Sequence, residues 1–144
     1  MTDVAFHFGA PNKLEYAGRL LRKAVARGAR LTVLAVPAQV QYLDASLWAT
    51  SPTDFLVHGV DNGASPDLRC PVMLTSKVHP ALSSHGVLVN LTHEMPEGFD
   101  VFDRVIEVVS VDEEDRATAR LRWKQYVQQG YAIQRHDLKL KGAE

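Results

Sequence analysis

The chain has 144 residues, enough for one domain with a substantial core and too few for two. Hydrophobic residues make up 46% of it and charged residues 23%, values typical of a globular protein and not of a disordered one. The chain has 16 basic residues and 17 acidic ones. The resulting net charge of −1 argues against a protein that coats nucleic acid, although it leaves room for a local basic patch.

Cysteine usage and the distribution of apolar residues indicate a cytoplasmic protein. The single cysteine, Cys70, cannot form an internal disulfide, which fits a reducing compartment. The first residues lack the charged leader and apolar stretch of a signal peptide. No apolar run approaches the ~18 residues that span a membrane. We therefore expect no membrane contact.

The first part of the chain alternates between strand and helix patterns. An apolar run predicts a strand over residues 4–8, and apolar residues at helical spacing predict an amphipathic helix over residues 11–27 that ends at Gly28. The nearly all-apolar residues 31–36 predict a strand covered on both faces, as in a parallel sheet. Pro37 suits the first turn of a second helix. This order points to parallel strands joined by right-handed crossovers.

The second part of the chain predicts further strands and a closing helix. The expected strands lie at residues 54–57, 72–75, 87–91 and 104–109. A loop rich in Gly, Asp and Pro occupies residues 59–71, and the last helix runs from an Asp112 cap to Gly130. The fold predicted for residues 1–144 is a single three-layer α/β/α domain with a mostly parallel, Rossmann-like sheet.

The turn after the first strand does not match a phosphate-binding loop. It reads Phe-Gly-Ala-Pro-Asn-Lys over residues 8–13, without the repeated glycines that let backbone amides hold a phosphate. No Gly-Lys-Ser/Thr follows it. We therefore expect no cofactor, while an enzyme that uses a nucleotide on a degenerate Rossmann-like sheet stays open as an alternative.

Neither a metal site nor a catalytic site is predicted. The six histidines include no pair at the i, i+4 spacing that would place two imidazoles on one helical face. His93 and Glu94 begin like a zinc-protease motif, but residues 95–97 interrupt it. Ser84 is not framed by the glycines of a nucleophile elbow. We interpret Cys70 as a loop residue and not as a nucleophile.

The last helix, around residues 116–124, carries the clearest candidate for a binding surface. Its expected apolar stripe consists of Ala119, Trp123, Tyr126 and Val127, and Leu121 lies on the far side. Three basic residues line the edge of that stripe at i, i+4 and i+8: Arg116, Arg120 and Lys124. Cations beside an aromatic surface suit a ligand that is both acidic and hydrophobic. Guanidinium groups bind carboxylates, and the aromatic surface accepts an apolar side chain.

Two other interpretations of this helix stay open. Trp123 and Tyr126 could belong to the core, with the basic residues forming a solvated rim that pairs with Asp112 or Glu113. A nucleic-acid backbone would also be attracted by the charges, which makes a direct nucleic-acid-binding module a second alternative.

Five segments, in this order and spacing, resemble the chi subunit family of bacterial DNA polymerase III. They are Leu-Asp-Ala-Ser-Leu-Trp at 43–48, Phe-Leu-Val-His at 55–58, Val-Leu-Val-Asn-Leu at 87–91, Phe-Asp-Arg-Val-Ile-Glu-Val-Val at 102–109, and the run 120–130. Each motif alone is short, but all five in order are specific. The resemblance covers about residues 24–130, and the residues after Gly130 match poorly.

The resemblance implies a non-catalytic accessory subunit of the polymerase holoenzyme. Such a subunit links the clamp loader, through a small partner called psi, to single-stranded DNA-binding protein during DNA replication. The latter has an acidic C-terminal tail that ends in proline and phenylalanine, and no direct contact with nucleic acid is implied. Carried over by motif, the residues of the tail pocket are Val109, Arg116, Arg120, Trp123 and Lys124. The face for psi, or for another partner, includes Trp48 and Phe55.

Overall fold

Parallel strands form one open sheet with helices on both of its faces. The computed structural model describes residues 2–48, 58–60, 72–76, 86–96 and 98–137, with the backbone alone at 47–48, 58–60 and 137. The strands in these ranges are β1 (Asp3–Ala10), β2 (Arg30–Leu34), β3 (His58–Val60), β4 (Val72–Thr75), β5 (Gly86–Asn90), β6 (Arg104–Ser110) and β7 (Ile133–Asp137). The helices are α1 (Lys13–Ala26), α2 (Pro37–Trp48) and α3 (Glu113–Gln128), with a 3₁₀ turn at Phe99–Val101.

The sheet has the order β3-β4-β2-β5-β6-β1-β7, and every described pair of neighbours is parallel. Alternate strand residues face opposite layers. On one face, Leu31, Val33 and Val108 share a core with Ala17 of α1 and Leu43 of α2. On the other face, a second core surrounds the buried side of α3. The predicted three-layer α/β/α arrangement with a mostly parallel sheet is confirmed.

The predicted elements agree with the structure where apolar residues dominate. The strand at residues 72–75 has the predicted bounds, and the other predicted strands and helices within the described residues differ by up to two residues at their ends. The strand expected at residues 54–57 lies outside the described residues. The prediction of a loop from residue 59 is wrong at its start, because β3 extends to Val60.

The strand β7 was not expected from the sequence. Its residues Ile-Gln-Arg-His-Asp contain no apolar run, yet all five pair in register with β1. An edge strand needs only one neighbour and keeps one side open to solvent, so polar residues are tolerated there. As a result, Arg135 lies beside Phe6 of β1, close to α3.

Helix ends are fixed by local hydrogen bonds. Asp112 caps α3 as predicted, since its side chain accepts a hydrogen bond from the backbone N–H of Asp115. Beyond the other end, Gly130 has a φ of +87°, which a glycine adopts without strain.

No helix in the described part of the chain is long and apolar enough to cross a membrane.

Candidate functional site

A groove lies between α3 and the carboxyl-terminal parts of β1 and β7. Its volume is about 500 Å³. The α3 wall consists of Arg116, Ala119, Arg120, Trp123 and Lys124. The opposite wall consists of Phe8 and Gly9 of β1 and Arg135 of β7, and Val111 completes the lining just beyond β6. The groove thus combines four basic side chains with an apolar floor.

Four of the five residues predicted for the tail pocket line this groove, and Val109 does not. Its side chain is fully buried in the core beneath α3. Val111 lies two residues further, on the same side of the chain, and is 42% exposed because β6 has already ended at Ser110. The valine that reaches the groove is therefore Val111. That any of these residues binds a ligand stays a prediction.

The basic residues on the α3 wall have no acidic partner in the part of the chain that the structure describes. Arg116, Arg120 and Lys124 are exposed, and within the described residues none of them forms an ion pair. The pairing with Asp112 or Glu113, which the alternative interpretation of a solvated rim offered, is not observed among the described residues. Three positive charges on one side of an open groove are available to an anionic ligand.

Aromatic rings in mutual contact form the floor. The half-buried ring of Trp123 lies 5.1 Å from the Phe6 ring and 5.9 Å from the Phe8 ring, centroid to centroid. The guanidinium carbon of Arg135 lies 5.4 Å from the centroid of the Phe8 ring, within the range of a cation–π contact. Both Phe8 and Arg135 were missed by sequence reasoning, because only the strand pairing brings them next to α3.

The buried side of α3 differs in part from the predicted stripe. Ala119 and Tyr126 are buried as expected and Leu121 is exposed, but Val127 is 54% exposed. Asp115 and Arg122 are buried instead, which completes a face at positions 115, 119, 122 and 126. The stripe prediction was wrong at these points because it took charged residues to be solvated.

Arg122 is buried because it contributes to a hydrogen-bonded cluster around Glu107. The carboxylate of Glu107 accepts hydrogen bonds from Arg122 Nε at 3.2 Å, Tyr126 Oη at 2.8 Å and Asn90 Nδ2 at 2.9 Å. Burial raises the pKa of Glu107, while the charge of Arg122 and the three hydrogen bonds oppose that rise. Burial and the carboxyl of Glu107 raise the pKa of Tyr126, which keeps its hydroxyl a neutral donor.

Asp115 anchors the first turn of α3. Its carboxylate accepts hydrogen bonds from the backbone N–H of Ser110 at 2.7 Å and from Lys13 Nζ at 3.0 Å, and His93 Nε2 lies 3.3 Å away. Burial by itself raises the pKa of Asp115, but the Ser110 hydrogen bond and the charge of Lys13 outweigh it, so the pKa lies below its usual value. Burial lowers the pKa of Lys13. Arg116 follows this anchor directly.

The remaining predictions concern metal binding and the face for psi. In the described ranges, no group of three or more His, Cys, Asp or Glu residues could hold a metal ion. Trp48 is the last residue of α2, but its side chain is not described, and Phe55 lies outside the described residues. The face predicted for psi therefore stays a prediction.

Comparison with known proteins identifies the family. The family model described as DNA polymerase III chi subunit, HolC, matches residues 1–134. The chain belongs to the chi subunit family. A chi subunit from Pseudomonas aeruginosa is 34% identical over 127 residues, which is 88% of this chain and 87% of that protein. A chi subunit from Haemophilus influenzae is 28% identical over 96 residues, 67% of this chain and 66% of that protein.

The family match confirms the resemblance drawn from the five motifs. It also extends beyond them, because the match begins at residue 1 and the motifs supported a resemblance only from about residue 24. The strand β1, with Phe8 and Gly9, therefore falls within the chi-family match, and the match ends two residues into the strand β7.

Proposed function

We propose that this chi-family chain is an accessory, non-catalytic subunit that binds the acidic C-terminal tail of single-stranded DNA-binding protein. The groove beside α3 is the binding site, and the tail connects that protein to the clamp loader of the polymerase at the replication fork in the bacterial cytoplasm. One observation carries the proposal. Arg116, Arg120 and Lys124 have no acidic partner among the described residues, and they line the same groove as the ring of Trp123.

The chemistry of the groove fits a tail that is acidic and ends in an aromatic residue. Guanidinium groups bind carboxylates through paired hydrogen bonds, which suits Arg116 and Arg120 to the acidic residues and the terminal carboxylate. The terminal phenylalanine would occupy the floor between Trp123 and Val111. A peptide of this kind gains affinity from both parts, because the cations orient it and the apolar floor buries its side chain.

A nucleotide fits the same groove less well. The backbone of β1 contributes a single glycine to the lining, Gly9, and the chain then continues through Pro11, which has no N–H to donate. Phosphate groups are usually held by several backbone N–H groups at a glycine-rich turn. Cations on a helix face beside an aromatic floor are better suited to carboxylates on a flexible peptide.

The second proposed surface contacts another protein of the assembly. We propose that Trp48, at the end of α2, and Phe55 meet psi, or a different partner where psi is absent. α2 packs on the face of the sheet opposite α3. The two partners would therefore not compete for one surface, as a linking subunit requires.

The direct test is retention of the chain on immobilised single-stranded DNA-binding protein. We expect retention on the full-length protein and loss of retention on a version that lacks the C-terminal tail. Equal retention on the two versions would show that the tail is not the ligand. Adding a synthetic tail peptide in excess should release the chain from the full-length protein, whereas a peptide without the terminal phenylalanine should release little of it.

A further inference from the structure

The charge of the chain is distributed unevenly. Residues 14–30 contain five basic residues, Arg19, Arg22, Lys23, Arg27 and Arg30, and one acidic residue, Glu15. This segment therefore carries a net charge of +4, and the rest of the chain carries −5, because the total is −1. The small net charge conceals a strongly basic region around α1.

The basic residues lie in a row on the solvent side of α1. Arg19, Lys23 and Arg27 follow each other at i, i+4 and i+8, and all three are exposed. Four residues of helix span about 6 Å, so the row is about 12 Å long. We call Arg19, Lys23 and Arg27 the basic face.

Two of the three charges of the basic face have no acidic partner in the described ranges. Among those residues, neither Arg19 nor Arg27 forms an ion pair. Like charges at i, i+4 on a helix repel each other and destabilise it. Lys13 shows that the fold can neutralise a cation on α1, because it pairs with Asp115 at 3.0 Å. Arg19 and Arg27, for which the described residues provide no such ion pair, suggest a ligand that supplies the negative charge.

We propose that the basic face contacts the phosphate backbone of duplex DNA without reading its sequence. A protein partner is less well suited, because protein interfaces are anchored by buried apolar or aromatic side chains. None of the large hydrophobic residues exposed in the described ranges lies on α1. Phosphate contacts need only cations and hydrogen-bond donors.

The absence of a stacking surface on α1, all of which is described, favours duplex over single-stranded DNA. Proteins that bind single strands combine cations with exposed aromatic rings on which bases stack. The aromatic residue of α1, Tyr16, is half-buried, and its hydroxyl lies 2.6 Å from His7 Nδ1. Duplex DNA also presents the denser row of charge, about one per 1.7 Å of helix axis.

The basic face and the groove are on opposite sides of the sheet. Ala17 and Leu21 pack α1 into one core, and Ala119 and Tyr126 pack α3 into the other. A tail peptide on α3 would therefore leave α1 accessible. Two weak contacts on one chain raise the effective affinity for a DNA–protein assembly that offers both ligands.

The test compares two variants that lose the same charge from opposite faces. Arg19→Gln/Lys23→Gln/Arg27→Gln removes three positive charges from the basic face, and Arg116→Gln/Arg120→Gln/Lys124→Gln removes three from the groove. Binding of the full chain to a fluorescein-labelled duplex of about 20 base pairs is followed by anisotropy at about 50 mM salt, where phosphate contacts are strong. A labelled oligothymidine of equal length and a tail peptide are measured in parallel.

We expect the basic-face variant to bind the duplex at least about tenfold more weakly. The slope of log affinity against log salt should become shallower by about one for each of these cations that no longer contacts a phosphate. This variant should bind the tail peptide like the unmodified chain, and the groove variant should show the reverse pattern.

Three results would each overturn the proposal. They are an equal fall in duplex affinity in the two variants, no duplex binding by the unmodified chain, and tighter binding of oligothymidine than of the duplex. Circular dichroism of both variants verifies that each is folded.

Discussion

Arg122 Nε lies 3.2 Å from Glu107 Oε1, and the side chains of both residues are buried. The pair joins α3 to β6 on the side of the helix that faces the sheet. Arg122 is flanked in the sequence by Leu121, which is exposed, and by Trp123, which lines the groove. The orientation of the groove wall therefore depends on a buried polar contact as well as on apolar packing.

Removing the cation of this pair should destabilise the protein strongly. Arg122→Met leaves the carboxylate of Glu107 buried without a compensating charge, which typically costs about 3–5 kcal/mol. We expect the free energy of unfolding, measured by urea titration, to fall by that amount. Arg120→Met, an exposed position on the same helix, should change it by less than about 0.5 kcal/mol.

A double variant separates the charge effect from the loss of packing. Glu107→Gln has no charge to compensate; its carbonyl oxygen can still accept from Asn90, and its amide N–H can donate to the Tyr126 hydroxyl. Combined with Arg122→Met, it should be less destabilising than Arg122→Met alone. A double variant that is less stable than the single one would show that the Arg122 side chain acts mainly through its packing.

Asp115 should make stability depend on pH in the acid range. Asp115→Asn removes charge-assisted hydrogen bonds and should lower the free energy of unfolding by about 1–3 kcal/mol near neutral pH. The pKa of Asp115 is lowered in the folded state, so the carboxylate stabilises the fold above its unfolded pKa of about 3.9. That contribution is lost as the pH falls through the lower, folded value.

The measurement is a series of urea titrations from neutral to acid pH on both proteins. It is best made in a His93→Gln background, because the contact of His93 Nε2, 3.3 Å from Asp115 Oδ1, is then absent from both proteins. The stability difference between the Asp and Asn forms should shrink below about pH 4. A difference that stays constant down to about pH 2 would mean that the Asp115 charge contributes nothing.

Arg135 should contribute to tail binding from the wall opposite α3. It is exposed, so the loss on Arg135→Gln should be modest, up to about fivefold in affinity. Arg104→Gln makes the same change of charge at an exposed position at the start of β6, at the opposite end of that strand from the groove, and should have no effect. If both variants weaken tail binding equally, the effect comes from the overall charge of the protein. Arg135 would then make no specific contact with the tail, and α3 alone would form the binding wall of the groove.

The sheet could be predicted from the sequence where strands are buried on both faces. Residues 31–36 and 72–75 are nearly all apolar, and such runs have few alternatives to a central parallel strand. β7 could not be predicted in this way. Its residues 133–137 are mostly polar, and its position depends on pairing with β1, more than 120 residues earlier in the chain.

The wall of the groove that α3 supplies could be predicted from the sequence. Helical spacing alone brings Arg116, Arg120 and Lys124 together beside Trp123. Phe8 and Arg135 come from two strands far apart in the sequence, and only the sheet order places them opposite α3.

The burial of Arg122 and Asp115 was also beyond sequence reasoning. A charged residue is buried only when the fold provides partners. Here those partners come from other elements: Glu107 from β6 for Arg122, and Lys13 from α1 for Asp115. Helical periodicity within α3 carries no information about either contact.

The most direct measurement is the affinity of a fluorescent tail peptide for the unmodified chain and for Arg120→Ala and Lys124→Ala, followed by anisotropy. Loss of one charge-assisted hydrogen bond, about 1.5–3 kcal/mol, should weaken binding of the Arg120→Ala variant roughly 10- to 100-fold. Lys124→Ala should also weaken it, and moderate salt should weaken binding of the unmodified chain. Leu121→Ala, at a neighbouring exposed position, should leave the affinity unchanged. Affinity that is equally unchanged in Arg120→Ala and Lys124→Ala would contradict the assignment of the groove.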